Sequence, residues 1–177
     1  MVANDARSPL PVIEFFLTNN LSGGWEGWLQ VAYARAVMSA GLQVGDFNRE
    51  VLFPLTAQRC DLFFRPQRGA DMWVELKTQR RANYTATVDD FSGDILKIIN
   101  LNAGFKNTNV LVATAILKLQ ANDAQKLNTL RLSVMQGTMN YQLFTAGSIT
   151  PWLDVTNTIL TTTTNAGQLL VATYRAN

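Results

Sequence analysis

Histidine is absent from the 177 residues, and cysteine occurs once, at Cys60. The first absence removes Ser-His-Asp and Cys-His catalysis, most zinc sites, and the side chain best suited to moving protons near neutral pH. The second excludes an intramolecular disulfide and a four-cysteine zinc site. Charge is sparse, at 16% against 47% hydrophobic residues, which argues against intrinsic disorder, a coiled coil or a charged tail protein. Charge of one sign is also scarce. The 15 Lys and Arg against 13 Asp and Glu leave +2, too small a surplus to diagnose nucleic-acid binding by itself. Long apolar runs are missing too, since the stretch through 110–117 is far shorter than the roughly 18 residues of a spanning helix. The first ten residues carry Asp5 and Arg7 without an adjoining apolar core, so a conventional signal peptide is not expected and an intracellular, non-membrane protein is. Chemistry in such a chain falls to carboxylates, lysine, hydroxyls or a hard metal ion.

The length suits one packed domain over 1–177, burying about two-thirds of the surface its unfolded chain exposes. No internal repeat or linker divides it. Apolar positions Trp25, Leu29, Ala32, Ala36 and Ala40 recur at helical spacing over 25–40, with Gly41 as the stop. Residues 51–55, 61–64 and 72–78 read as short strands, Pro54 placing the first at an edge or bend. A helix is expected over 89–101 with Asp89 or Asp90 near its positive end, then a buried strand over 110–116 and a helix over 123–135 ending before Gly137. Further strands are expected over 141–145, 159–164 and 169–174, and a short apolar element over 12–17. The order defines an α/β fold whose later strands extend the sheet or form a second one.

The chemistry-bearing residues concentrate between Arg59 and Gln79. Strand alternation puts Glu75, Lys77 and Gln79 on one face, and Val74, Leu76 and Thr78 on the other. With Asp61 on the hairpin partner, its carboxylate can meet that of Glu75 across the sheet. Two carboxylates offer the oxygen ligands that Mg²⁺ or Mn²⁺ prefers, and Lys77 can orient or deprotonate water, or stabilise charge on a phosphate oxygen. Arg59, Arg65, Arg68, Arg80 and Arg81 surround the segment, as phosphate contacts or as a solvated basic surface. Asp89, Asp90 and Asp94 are read as capping and solvated acids, and Trp25, Trp28 and Trp73 as packing residues. Ser92 and Cys60 have no activator for covalent catalysis.

Asp61 followed by Glu75-Leu76-Lys77 resembles the PD-(D/E)XK phosphodiesterase superfamily, the restriction-endonuclease-like fold. In that family an Asp precedes a Glu-X-Lys strand, both carboxylates hold divalent metal, and the Lys acts near the attacking water. Glu26, in the first helix, matches by order the Glu that many members add, and Gln79 matches a further polar position of several branches. The proline that names the family is absent before Asp61, where Cys60 stands, and no catalytic group is lost with it. The resemblance covers roughly 25–117. It implies a mixed sheet flanked by helices with additional carboxy-terminal strands, a metal site of Asp61, Glu75 and Glu26 for Mg²⁺ or Mn²⁺, and hydrolysis of phosphodiester bonds in DNA. RNA remains a possible substrate. The alternatives are a nucleic-acid-binding domain without turnover and a protein-interaction or assembly protein, either as a homodimer or with another protein partner.

Overall fold

The computed structural model describes residues 24–79, 84–118, 125, 137–145, 148–149, 153–154 and 169–176. The elements run α1 (Gly24–Ser39), β1 (Val44–Leu52), β2 (Arg59–Pro66), β3 (Met72–Thr78), α2 (Tyr84–Ile99), α3 (Ala103–Thr108), β4 (Val110–Lys118), β5 (Gly137–Thr145), β6 (Ser148–Ile149), β7 (Leu153–Asp154) and β8 (Leu169–Ala176). The strands form one mixed sheet of order β1-β2-β3-β4-β8-β5-β6, with β7 beside β5. β1, β2 and β3 are antiparallel neighbours. β4 lies parallel to β3 after the α2 crossover, and β8 closes antiparallel onto β4.

Helices cover both faces of this sheet. On one face, Leu29, Ala34 and Val37 of α1 pack against Leu62, Phe64, Val74, Leu76 and Ile116. On the other, Val88, Phe91, Ile95 and Ile98 of α2 pack against Phe63, Trp73, Leu111, Ala113, Ala115, Ala172 and Tyr174. A strand covered on both faces reads as a nearly continuous buried run, as β3 does, where only Met72 and Lys77 retain partial exposure. Turn-by-turn burial in α1 follows position around the helix rather than side-chain size, since Ala34 is buried while Val31 and Met38 are exposed. Leu29 and Val37 occupy the seam with Tyr33 packed against it, whereas Ala32 and Ala36 are half-buried and Ala40 is exposed. Gly41, at φ 93°, closes the helix by donating its N–H to Met38 O at 3.1 Å, the left-handed ending that glycine adopts without steric cost.

Several expected boundaries move. The strand anticipated over 51–55 is instead β1 at 44–52; its pattern is mostly exposed, because an edge strand needs no apolar alternation. Pro54 lies beyond it, in a turn where Phe53 N–H bonds Gln58 O and Thr56 N–H bonds Phe53 O. α2 begins at Tyr84, five residues before Asp89, so Asp89 and Asp90 are exposed on its second turn rather than at its positive end. Gly93 lies inside that helix. α3 was not anticipated; Asn102 caps it by accepting from Gly104 N–H at 2.8 Å. Gly137, expected to stop a helix, opens β5. The expected elements at 12–17 and 159–164 lie outside the described residues, as does the helix at 123–135 apart from helical Gln125.

Candidate functional site

The geometry of the site begins with an irregularity in the β1–β2 ladder. Arg49 pairs with Leu62 and Val51 with Cys60, but Glu50 and Asp61, which face each other between them, are not paired. Glu50 takes φ 55°, a left-handed conformation that costs a side-chain-bearing residue on the order of 1 kcal/mol or more. Across this point both strands exchange faces. Phe47 and Leu62 pack toward α1, whereas Val51 and Cys60 pack toward α2. Asp61 sits at the crossing.

The β2–β3 ladder ends at the same place. Its register pairs Leu62 with Val74, Phe63 with Trp73 and Phe64 with Met72. Continued, it would set Cys60 opposite Leu76, but that pair does not form and Cys60 keeps only its β1 partner, Val51. The Asp61 carboxylate takes over: its Oδ2 accepts the Leu76 N–H at 2.5 Å, and its Oδ1 receives a long contact of 3.5 Å from Gln30 Nε2 on α1. A side chain thus satisfies a strand amide that the neighbouring strand has left.

Beyond the split, β3 presents Glu75 and Lys77 to the α2 face. In the parallel register they stand beside Ala113 and Ala115 of β4, whose small side chains leave room for two charged groups of α2. Lys97 Nζ meets Glu75 Oε1 at 2.5 Å, and Asp94 Oδ2 meets Lys77 Nζ at 3.4 Å. Lys97 also donates to Arg59 O at 2.6 Å and lies 5.6 Å from the centroid of Phe53. On the opposite face, Thr78 Oγ1 donates to Glu26 Oε2 at 3.3 Å.

Burial dominates the electrostatics. It pushes Glu75 up to about 8 against the pull of Lys97. It raises Asp61, which the Leu76 N–H opposes and Glu26 reinforces, and it raises Asp94 against Lys77 and Lys97. For Lys77 burial acts downward, yet Asp94, Glu26 and Asp61 together hold it above the ordinary lysine value. The Cys60 thiol, fully buried and near Glu75 and Asp61, is pushed up to about 12, consistent with a packing role. Fully ionised, Glu26, Asp61, Glu75 and Asp94 against Lys77 and Lys97 leave two uncompensated negative charges.

Of the residues singled out in the sequence, Asp61, Glu75 and Lys77 converge, and Glu26 lies close enough to act on the charge of Asp61 and Lys77. Gln79 is buried, its N–H extending the β3–β4 ladder to Ile116 O at 3.1 Å. Arg59 is beside the site but directs its guanidinium to Glu50 O. Arg65 and Arg68 do not join it: they flank the β2–β3 turn, at the zipped end of the hairpin, where Arg65 pairs with Asp71 at 3.1 Å. Arg80 and Arg81 lie outside the described residues. Asp94, read as a cap or solvated acid, is instead a partner of Lys77, and Lys97 and Gln30 went unnoticed. The signal for the first two was an acid and a base three apart, interleaved with the apolar stripe Phe91, Ile95 and Ile98.

Asp61 and Glu75 supply hard oxygen donors with excess negative charge around them, which suits a divalent cation. Among the described residues, however, no three His, Cys, Asp or Glu side chains are gathered closely enough to hold one. Open grooves occur elsewhere. One of about 500 Å³ runs between α1 and β1 along Val31, Met38 and Phe47, and another of about 560 Å³ lies along Lys106, Asn109 and Arg175. No helix among the described residues is long and apolar enough to cross a membrane. No family model, curated protein or solved structure matches the chain.

Proposed function

We propose that this protein is a metal-dependent endonuclease of the restriction-endonuclease-like, PD-(D/E)XK kind, acting on DNA. The observation that carries the proposal is the convergence where β2 and β3 part: the Asp61 and Glu75 carboxylates from neighbouring strands with the Lys77 ammonium near them, and Glu26 close enough to act on Asp61 and Lys77. The order of helix, three antiparallel strands, crossover helix and parallel strand is the one that the resemblance implies.

Asp61 and Glu75 would hold Mg²⁺ or Mn²⁺, with Glu26 nearby. Such an ion polarises a phosphate oxygen and lowers the pKa of bound water. The chain's own contribution is placement. Asp61 is fixed by the Leu76 amide, Glu75 by the β4 ladder beside Ala113 and by Lys97, and Lys77 by Asp94. From there the Lys77 ammonium would orient the attacking water or meet charge on a phosphate oxygen. No step calls on histidine. Preference for DNA comes from the family resemblance, since none of these groups distinguishes the sugars.

A second reading, a nucleic-acid-binding domain without turnover, is favoured by one observation: Asp61, Glu75, Asp94 and Glu26 each already engage a partner within the protein. The discriminating experiment incubates the protein with supercoiled, linear and single-stranded DNA and with RNA, in Mg²⁺, Mn²⁺ or EDTA. Metal-dependent cleavage is expected, falling at least about 100-fold in folded Glu75→Ala and Lys77→Ala variants. Cleavage that survives both substitutions overturns the assignment, and salt-sensitive binding without cleavage transfers it to the binding domain.

A further inference from the structure

The two lysines of the site are held differently. Lys77 rests 3.4 Å from Asp94, a residue outside the pair assigned to metal. Lys97 sits 2.5 Å from Glu75 Oε1, inside that pair, with only 16% of its side chain and 4% of the glutamate's exposed. An oxygen this close to an ammonium cannot also bind a divalent ion at about 2.1 Å without two cations crowding each other. Lys97 has somewhere to remain, because Arg59 O at 2.6 Å and the Phe53 ring at 5.6 Å hold the same ammonium. The carboxylate cluster lies outside the two grooves described above.

We propose that Lys97 is a tethered resident cation of this site, which a divalent metal must displace from Glu75 in order to bind. The inference rests on Glu75 being a metal ligand, as in the proposed function. Displacement moves the ammonium off the carboxylate while Arg59 O and Phe53 retain it, so the lysine stays beside the site and its release reports metal entry. Removal of the competitor strengthens metal binding. Removal of Lys77, which does not occupy a ligand oxygen, strengthens it less, although both substitutions delete one positive charge.

The test uses the full chain and two readouts that do not depend on cleavage. Mn²⁺ affinity is measured by electron paramagnetic resonance of the free ion for wild type, Lys97→Met and Lys77→Met. Lys97→Met is expected to bind about 10-fold tighter than wild type, with a smaller gain for Lys77→Met. In wild type, acylation of Lys97, followed by mass spectrometry, is expected to accelerate severalfold on adding Mg²⁺, while Lys106, whose ammonium is bonded to Ile99 O in the α2–α3 connection, is unchanged. Equal gains for the two variants, or Lys97 reactivity indifferent to Mg²⁺, overturn the displacement and leave Glu75 as a ligand. Absence of Mn²⁺ binding in every protein overturns both this inference and the metal reading. If Lys97→Met does not fold, the wild-type acylation result alone decides.

Discussion

Residues 72–74 and residues 75–78 belong to the same strand and are buried to a similar degree, yet they are stabilised by opposite means. The first half is zipped to β2 and β4 alike and is built on an aromatic cluster: Trp73 stacks on Phe53 at 5.2 Å, meets Phe63 at 4.6 Å and Phe105 at 5.4 Å, and donates its indole N–H to Asn109 Oδ1 at 3.0 Å. The second half keeps only the β4 ladder. On its other side stands a carboxylate in place of a strand, and toward α2 it makes ion pairs, Glu75 with Lys97 and Lys77 with Asp94, while Leu76 keeps its apolar packing toward α1. Apolar packing tolerates the loss of a partner at the cost of a cavity, whereas buried ions tolerate it poorly, because the remaining charge is left without compensation. The charged groups are therefore concentrated in the half whose stability depends on pairing.

Four changes would break or sharpen this contrast. The largest effect is expected in the zipped half: Trp73→Ala should cost about 3–5 kcal/mol in urea unfolding. Next comes Asp61→Ala, which strands the Leu76 amide and should cost about 1–3 kcal/mol. Asp61→Asn, still an acceptor, should recover part of that stability. The third is a slope rather than a level. Glu75 lies near 8 in the folded protein against 4.5 when unperturbed, so between those values the folded state keeps a proton that the unfolded chain has released. Stability should fall as pH rises through that window and level off above it. Glu75→Gln should flatten that part of the profile, and an unchanged slope would show that burial does not hold Glu75 protonated. The smallest effect concerns Glu50, where Glu50→Gly relieves the left-handed strain at the cost of chain entropy. Its expected gain is under about 1 kcal/mol, against a loss for Glu50→Val, both read by thermal unfolding.

How much of this was legible follows the same division. The limits of β3 and the face shared by Glu75 and Lys77 could be read directly, because alternation in a strand depends only on the backbone period. α1 and its glycine stop were equally plain. The split that aims Asp61 was not, since it depends on Glu50 leaving the ladder, and nothing about a glutamate there announces a positive φ. Lys97 was hidden by the habit of assigning helix charges to solvent. Only the alanines at 113 and 115, narrow positions on a covered face, hinted that the helix above them had room to turn charges inward. Arg65 and Arg68 misled because closeness in sequence to Asp61 is not closeness in space. A hairpin has two ends, and these arginines lie at the turn end, Arg65 in the last part of β2 and Arg68 in the turn.

The hydrogen bond between Asp61 and the Leu76 amide also turns one backbone proton into a gauge of the site. An amide on a strand flank that its neighbour has abandoned would ordinarily exchange with solvent deuterium quickly, while this one is shielded for as long as the carboxylate stays on it. Any ligand that draws Asp61 away should speed exchange at Leu76 and leave it unchanged at Val74, two residues along the same flank, where β2 is still in register. A single ratio of two exchange rates would then follow occupancy of the site without requiring the protein to turn over.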